Sequence, residues 1–171
     1  MSIDEWIEEL TKQRKLVLRP SSFMGDSARN VFLLPEIDAI AKSPFEDSDQ
    51  GDRDFAVAAF LDAFAELNEI TVSENPRRKP AETMLARVEP EDANFWSMRI
   101  TEPEGTAGVR IIGAFCAKDC FVGLVCENRE YIGSFSDSVD DAIAIWHELF
   151  GNIEPPNLGD LSGYITNYKE Y

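Results

Sequence analysis

The sequence is poor in the side chains that much enzyme chemistry relies on. In 171 residues it has one histidine and three cysteines. A single imidazole means that any proton relay through histidine must use His147. An odd cysteine count fits reduced thiols better than a disulfide framework. Cations are scarce as well: 16 Lys and Arg stand against 32 Asp and Glu, a formal net charge of −16. Such a chain repels a phosphate polymer at long range, which makes nucleic acid an unfavoured partner. The same surplus suits a partner protein with a basic surface, and it equally serves solubility. There is no apolar run of about 18 residues and no basic start leading into a hydrophobic stretch. We therefore expect no membrane span, no signal peptide and a cytoplasmic location. No glycine-rich phosphate loop and no serine or cysteine in a nucleophile elbow is present, and no cofactor is expected.

What is present argues for a packed globule. Eleven phenylalanines and a 44% apolar share are enough to offset the entropy of ordering, which disordered chains cannot do. The length suits one domain spanning residues 1–171, with a helical and loop extension over 1–51, a core over 52–150 and a tail over 151–171.

The centre of that core is expected between Phe95 and Cys126. In Phe95–Ile100, Trp96, Met98 and Ile100 alternate with Ser97 and Arg99, the period of a strand. Val109–Cys116 and Cys120–Cys126 are apolar on both faces and are separated by the short turn Ala117–Asp119. The fold class this predicts is α+β, an antiparallel meander of three to four strands covered by amphipathic helices. Tyr131-Ile132 is the candidate fourth strand.

Helical spacing recurs in several places. Ile3, Trp6, Ile7 and Leu10 share a face after Ser2, which can cap the helix. Pro35–Lys42 follows a proline suited to a first helical turn. Asp54–Ile70 carries a wide stripe that includes Phe60, Phe64 and Leu67, and the acidic stretch Glu46–Asp54 before it reads as an exposed loop. Pro80–Val88 has the spacing of a short helix. Ser138 reads as an N-cap and Gly151 as a C-terminal stop around Val139, Ala142, Ile143, Trp146, Leu149 and Phe150. A short terminal helix or packed tail fits Leu161–Tyr168.

Candidate functional residues are few. Cys116, Cys120, Cys126 and His147 could supply four zinc ligands, but their spacing lacks the close pairs on turns that structural zinc uses, so they read as small buried side chains and a boundary histidine, with no metal site. Arg99 and Arg110 lie amid apolar neighbours on adjacent strands. Such a position requires either ion pairing with the surplus acids or an anion-facing patch, which Arg129 could join. Tyr164 and Tyr168 are candidate interaction residues if exposed.

The order of pieces from residue 52 to 126 resembles the RelE/ParE-type toxin superfamily. The resemblance rests on the Phe60, Phe64, Leu67 helix, the connection Asn75-Pro76-Arg77-Arg78-Lys79, Leu85, then Trp96-Ser97-Met98-Arg99-Ile100, Val109-Arg110-Ile111 and Phe121-Val122-Gly123-Leu124. It implies a helical part before an antiparallel sheet with arginines on its first strands, and an activity that cleaves messenger RNA on the ribosome. Glu127-Asn128-Arg129-Glu130 stands where that family would place a basic cluster. Composition alone points to a non-catalytic interaction protein with a basic partner. The alternatives are a RelE-like ribonuclease and an enzyme holding a small anion on Arg99 and Arg110.

Overall fold

A computed structural model describes residues 1–19, 29–105, 108–130 and 134–171. The expected three- to four-stranded antiparallel meander is only the middle of what forms. The described chain builds one eight-stranded mixed sheet, curled into a half-barrel. Its strands are β1 (Val17–Arg19), β2 (Asn30–Leu33), β3 (Ile70–Ser73), β4 (Leu85–Arg87), β5 (Phe95–Ile100), β6 (Val109–Ala117), β7 (Cys120–Asn128) and β8 (Tyr168–Glu170). They lie in the order β1-β2-β7-β6-β5-β4-β3-β8. The β4/β5, β5/β6 and β6/β7 pairs are antiparallel, but β2/β7, β3/β4 and β3/β8 are parallel. Parallel partners are joined by long crossovers and leave no hairpin signature, and the flanking strands are three or four residues long. That is why the meander is legible and its extension is not. Pro80–Val88 is likewise no helix, since Leu85, Ala86 and Arg87 pair with Met98, Ser97 and Trp96. The candidate fourth strand at Tyr131-Ile132 lies outside the described residues.

Among the described residues five α-helices accompany the sheet: α1 (Ile3–Lys12), α2 (Pro35–Ile40), α3 (Asp49–Ala65), α4 (Phe135–Phe150) and α5 (Leu161–Tyr164). Ser2 closes a capping box with Glu5, as its position before an amphipathic run suggests. The start of α3 lies inside the stretch read as an acidic loop. The Ser48 hydroxyl accepts from Gly51 N–H at 3.0 Å, and Asp49 and Asp52 sit in the first turn, where the helix dipole favours anions. Gly151 ends α4 at φ +63, a conformation open to glycine.

The two long helices pack on opposite faces. Consecutive strand residues point to opposite sides. Phe95 meets Trp146 of α4 edge-on, with ring centroids 6.2 Å apart. Trp96 points the other way, to Phe115, which leads through Phe121 to Phe64 of α3. Phe64, Trp96 and Trp146 are fully buried, so both helix stripes close a continuous core. Burying each such ring contributes on the order of 2 kcal/mol. The tail completes the α3 side: Tyr164 is buried against Trp96 and Phe115, and β8 adds an edge strand beside β3.

Candidate functional site: a cationic pocket at the start of α4

Arg99 shares the parity of Phe95 and Ser97 and so lies on the α4 side of β5. The β5/β6 register sets Arg110 directly opposite it. Facing like charges destabilise a sheet, so this pairing calls for a compensating anion. Arg110 is in turn opposite Glu127 of β7, the expected neutralising partner. That carboxylate is instead turned to α4, where it accepts from the Ser138 hydroxyl at 3.2 Å.

Two more cations join from outside the sheet. Lys79, the last residue of the Arg77-Arg78-Lys79 run, reaches over Phe135, its Nζ 5.7 Å from the ring centroid. Arg129, just past β7, holds its Cζ 5.3 Å from the same ring. Lys79, Arg99, Arg110, Arg129 and Phe135, with Ser97 and Ala86 behind them, line a cavity of about 210 Å³. The sheet arginines are held by carbonyls: Arg99 Nη1 donates to Pro80 O at 3.1 Å, and Arg110 Nη1 to Val109 O at 3.1 Å. Among the described residues, none of the four cations makes an ion pair with a carboxylate.

The electrostatics follow from this crowding. Partial burial and the charges of Arg99 and Arg129 push Arg110 down to about 10. Arg99 is lowered by burial and by Arg129. Lys79 is lowered by burial and by Arg99 and Arg110, with Glu89 pulling the other way. Glu89 is itself engaged by Arg77 at 3.0 Å.

Arg99 also lines a second, larger hollow of about 670 Å³ between α3 and the end of β5, whose walls include Phe55, Phe60, Met84, Ile100 and Pro103. It is mainly apolar, and Phe55 on its wall is 60% exposed. Asp52 and Glu102 also line this hollow, and it lies against α3, on the sheet face opposite to the cationic notch, so the two are separate hollows that share Arg99 as a wall residue.

The three arginines singled out from sequence therefore converge. Lys79 and Phe135 were missed as site residues, although Lys79 belongs to a basic run that stands out in an acidic chain. Phe135 lies in the first turn of a helix that sequence spacing starts at Ser138. The two tyrosines part company. Tyr164 is a core residue, its Oη accepting from Leu158 N–H at 3.1 Å, while Tyr168 is half-buried on the edge strand β8. Cys116 and Cys120 are neighbours, but His147 sits near the end of α4 with Nδ1 3.0 Å from Gly151 O. Among the described residues, no three His, Cys, Asp or Glu side chains gather as metal ligands, and no helix is long and apolar enough to cross a membrane. No protein-family model, curated protein or solved structure matches the chain.

Proposed function

We propose that this protein binds a small anion, with its phosphate, sulfate or carboxylate group among Lys79, Arg99, Arg110 and Arg129. One observation carries the reading. In a chain with twice as many acids as bases, four cations from separate segments surround one cavity, and none of them is paired with a described carboxylate. An anion there gains charge-assisted hydrogen bonds and relieves mutual repulsion at the same time. Phosphate, pyrophosphate, medium-chain carboxylates and nucleoside monophosphates, titrated by calorimetry and thermal shift, form the test. An anion present at about 100 times its Kd stabilises the fold by about 2.7 kcal/mol. A protein whose melting is unmoved by all of them, or whose Arg110→Gln variant responds as the parent does, overturns the reading.

A second reading, RNA cleavage, is favoured by a narrower observation: Arg99 and Arg110, which carry the toxin-like resemblance, line one cavity together with Arg129. The phosphodiester would then be the anion. Growth arrest and RNA fragmentation on expression, both abolished by Arg110→Gln, support this reading, and normal growth with intact RNA removes it. The interaction-module reading has its own support in an acidic cleft of about 740 Å³ rimmed by Glu74, Glu91, Asp92 and Glu170. A basic protein retained at low salt and released by Glu91→Lys would bear it out.

A further inference from the structure

The β6/β7 hairpin carries a feature unrelated to the cationic pocket. Phe115 pairs with Phe121 and Ala117 with Cys120, so Cys116 is an extra residue on its strand, a bulge at the hairpin tip. Continued without a bulge from Phe115 opposite Phe121, the ladder would set Cys116 opposite Cys120 on one face, so the two flank the turn as neighbours in either register. The two Sγ atoms stand 2.9 Å apart, with the Cys116 Sγ also 3.5 Å from the Cys120 carbonyl oxygen. A disulfide needs about 2.05 Å between sulfurs, so closing the bond asks for a shift of about 0.9 Å at side-chain level. The third thiol, Cys126, lies further along β7, lining a separate small cavity with Gln50 and Asp54.

We propose that Cys116 and Cys120 are a vicinal dithiol that hydrogen peroxide converts to an intramolecular disulfide, making the hairpin tip a site of reversible oxidation. The two sulfurs divide the work by access. Cys120 is half-exposed and Cys116 is buried. The Cys120 thiolate attacks one peroxide oxygen, the O–O bond breaks, hydroxide leaves and a sulfenic acid forms. The Cys116 sulfur then attacks the Cys120 sulfur; the S–S bond forms, the S–O bond breaks, and the departing hydroxide takes the Cys116 proton as water. In sum, two thiols and one peroxide give one disulfide and two waters, with both sulfurs oxidised and both peroxide oxygens reduced. The hydrogen bond to Cys120 and burial hold the Cys116 thiol above the usual range, and with Cys116 buried the first attack falls to the more accessible Cys120.

The site is placed where a staple matters. Between the two cysteines lies Asp119, whose carboxylate takes both the Thr166 N–H at 2.8 Å and the Thr166 hydroxyl at 2.6 Å, fastening the tail to the hairpin.

The experiment uses the full chain, reduced and then freed of reductant. Peroxide is added, free thiols are titrated after denaturation, and the linked peptides are mapped by mass spectrometry. The expected result is a fall from three thiols to one, a Cys116–Cys120 crosslink lighter by two hydrogens, full reversal by dithiothreitol, and the same outcome in Cys126→Ser. In Cys116→Ser the sulfenic acid on Cys120 has no resolving thiol and is captured by dimedone. Three thiols surviving peroxide, a crosslink that uses Cys126, or bridging only between chains overturns the proposal, and each is read from the parent protein without relying on a variant that folds.

Discussion

Arg29 and Arg110 are both pushed down to about 10, yet they do opposite things. Arg29, fully buried, sits on the face that carries α3. Its Nη1 donates to Phe64 O at 2.8 Å, and its Nη2 donates to Asn68 O at 3.0 Å and to Thr166 and Asn167 carbonyls, while the Phe64 ring covers its Cζ at 4.8 Å. Burial lowers it, but Asp119, 3.7 Å from its Nε, pulls back. Arg110 is lowered by burial too, and its neighbours Arg99 and Arg129 make matters worse. The shift alone does not separate a structural cation from a ligand-seeking one. The sign of the surrounding charges does: Arg29 is answered by Asp119, whereas the charges that act on Arg110 are of its own sign.

The largest effect that could break this contrast is expected at Arg29. Arg29→Met leaves several buried carbonyls and Asp119 without their cation, and removing one partner of a buried pair costs about 3–5 kcal/mol. Urea unfolding measures it, and a loss under about 1 kcal/mol would mean that Arg29 is as dispensable as a surface residue. Asp119→Asn comes next. It weakens the charge-assisted bonds to Thr166 and the field on Arg29, for a loss of about 1–3 kcal/mol. Combined with Arg29→Met it loses less than the sum, because the two side chains share one network.

Arg110→Met should run the other way. Without anion it removes the repulsion across β5 and β6, and the cross-strand term of roughly 0.2–1 kcal/mol, discounted for partial solvent screening, leaves stability unchanged or slightly raised. Sulfate stabilisation is lost in the same variant. A clear drop in melting temperature without sulfate would place Arg110 in the same class as Arg29.

The smallest effect is a pH dependence. A cation whose folded pKa is depressed binds fewer protons in the native state, so between the folded and unfolded values stability rises with pH. For Arg110 this window opens at about 10. Anion binding needs the protonated form and runs opposite. Sulfate, a dianion throughout, should bind with constant affinity near neutrality and more weakly as pH climbs toward 10. Lys79→Gln should weaken sulfate binding at every pH, and titrations at several pH values with and without it sharpen the comparison.

Local chemistry made much of this readable. The capping serine before α1, the stop at Gly151, the alternation in β5 and the turn between β6 and β7 are each written within a few neighbouring residues. So was the juxtaposition of Arg99 and Arg110, because adjacent strands and matching parity suffice to bring two side chains together. The parallel edges could not be read. Leu85–Arg87 and Tyr168–Glu170 are too short to show a period, and their partners are set by tertiary packing. Lys79 and Phe135 escaped for the same reason, one on a connection and one at a helix start. The nearness of Cys116 and Cys120, which flank the turn Ala117–Asp119, was legible too, whereas the separation of their sulfurs was not.

The acceptors around Arg29 also fix an order of events during synthesis. Phe64 and Asn68 leave the ribosome early, but Thr166 and Asn167 follow almost a hundred residues later, as does the strand that pairs with Ile70–Val72. Contacts that distant in sequence form late and slow the search for the native state. Until they arrive, this guanidinium and the far margin of the sheet stand open to water, and a nascent chain paused before residue 166 offers that unpaired margin to chaperones or to other chains.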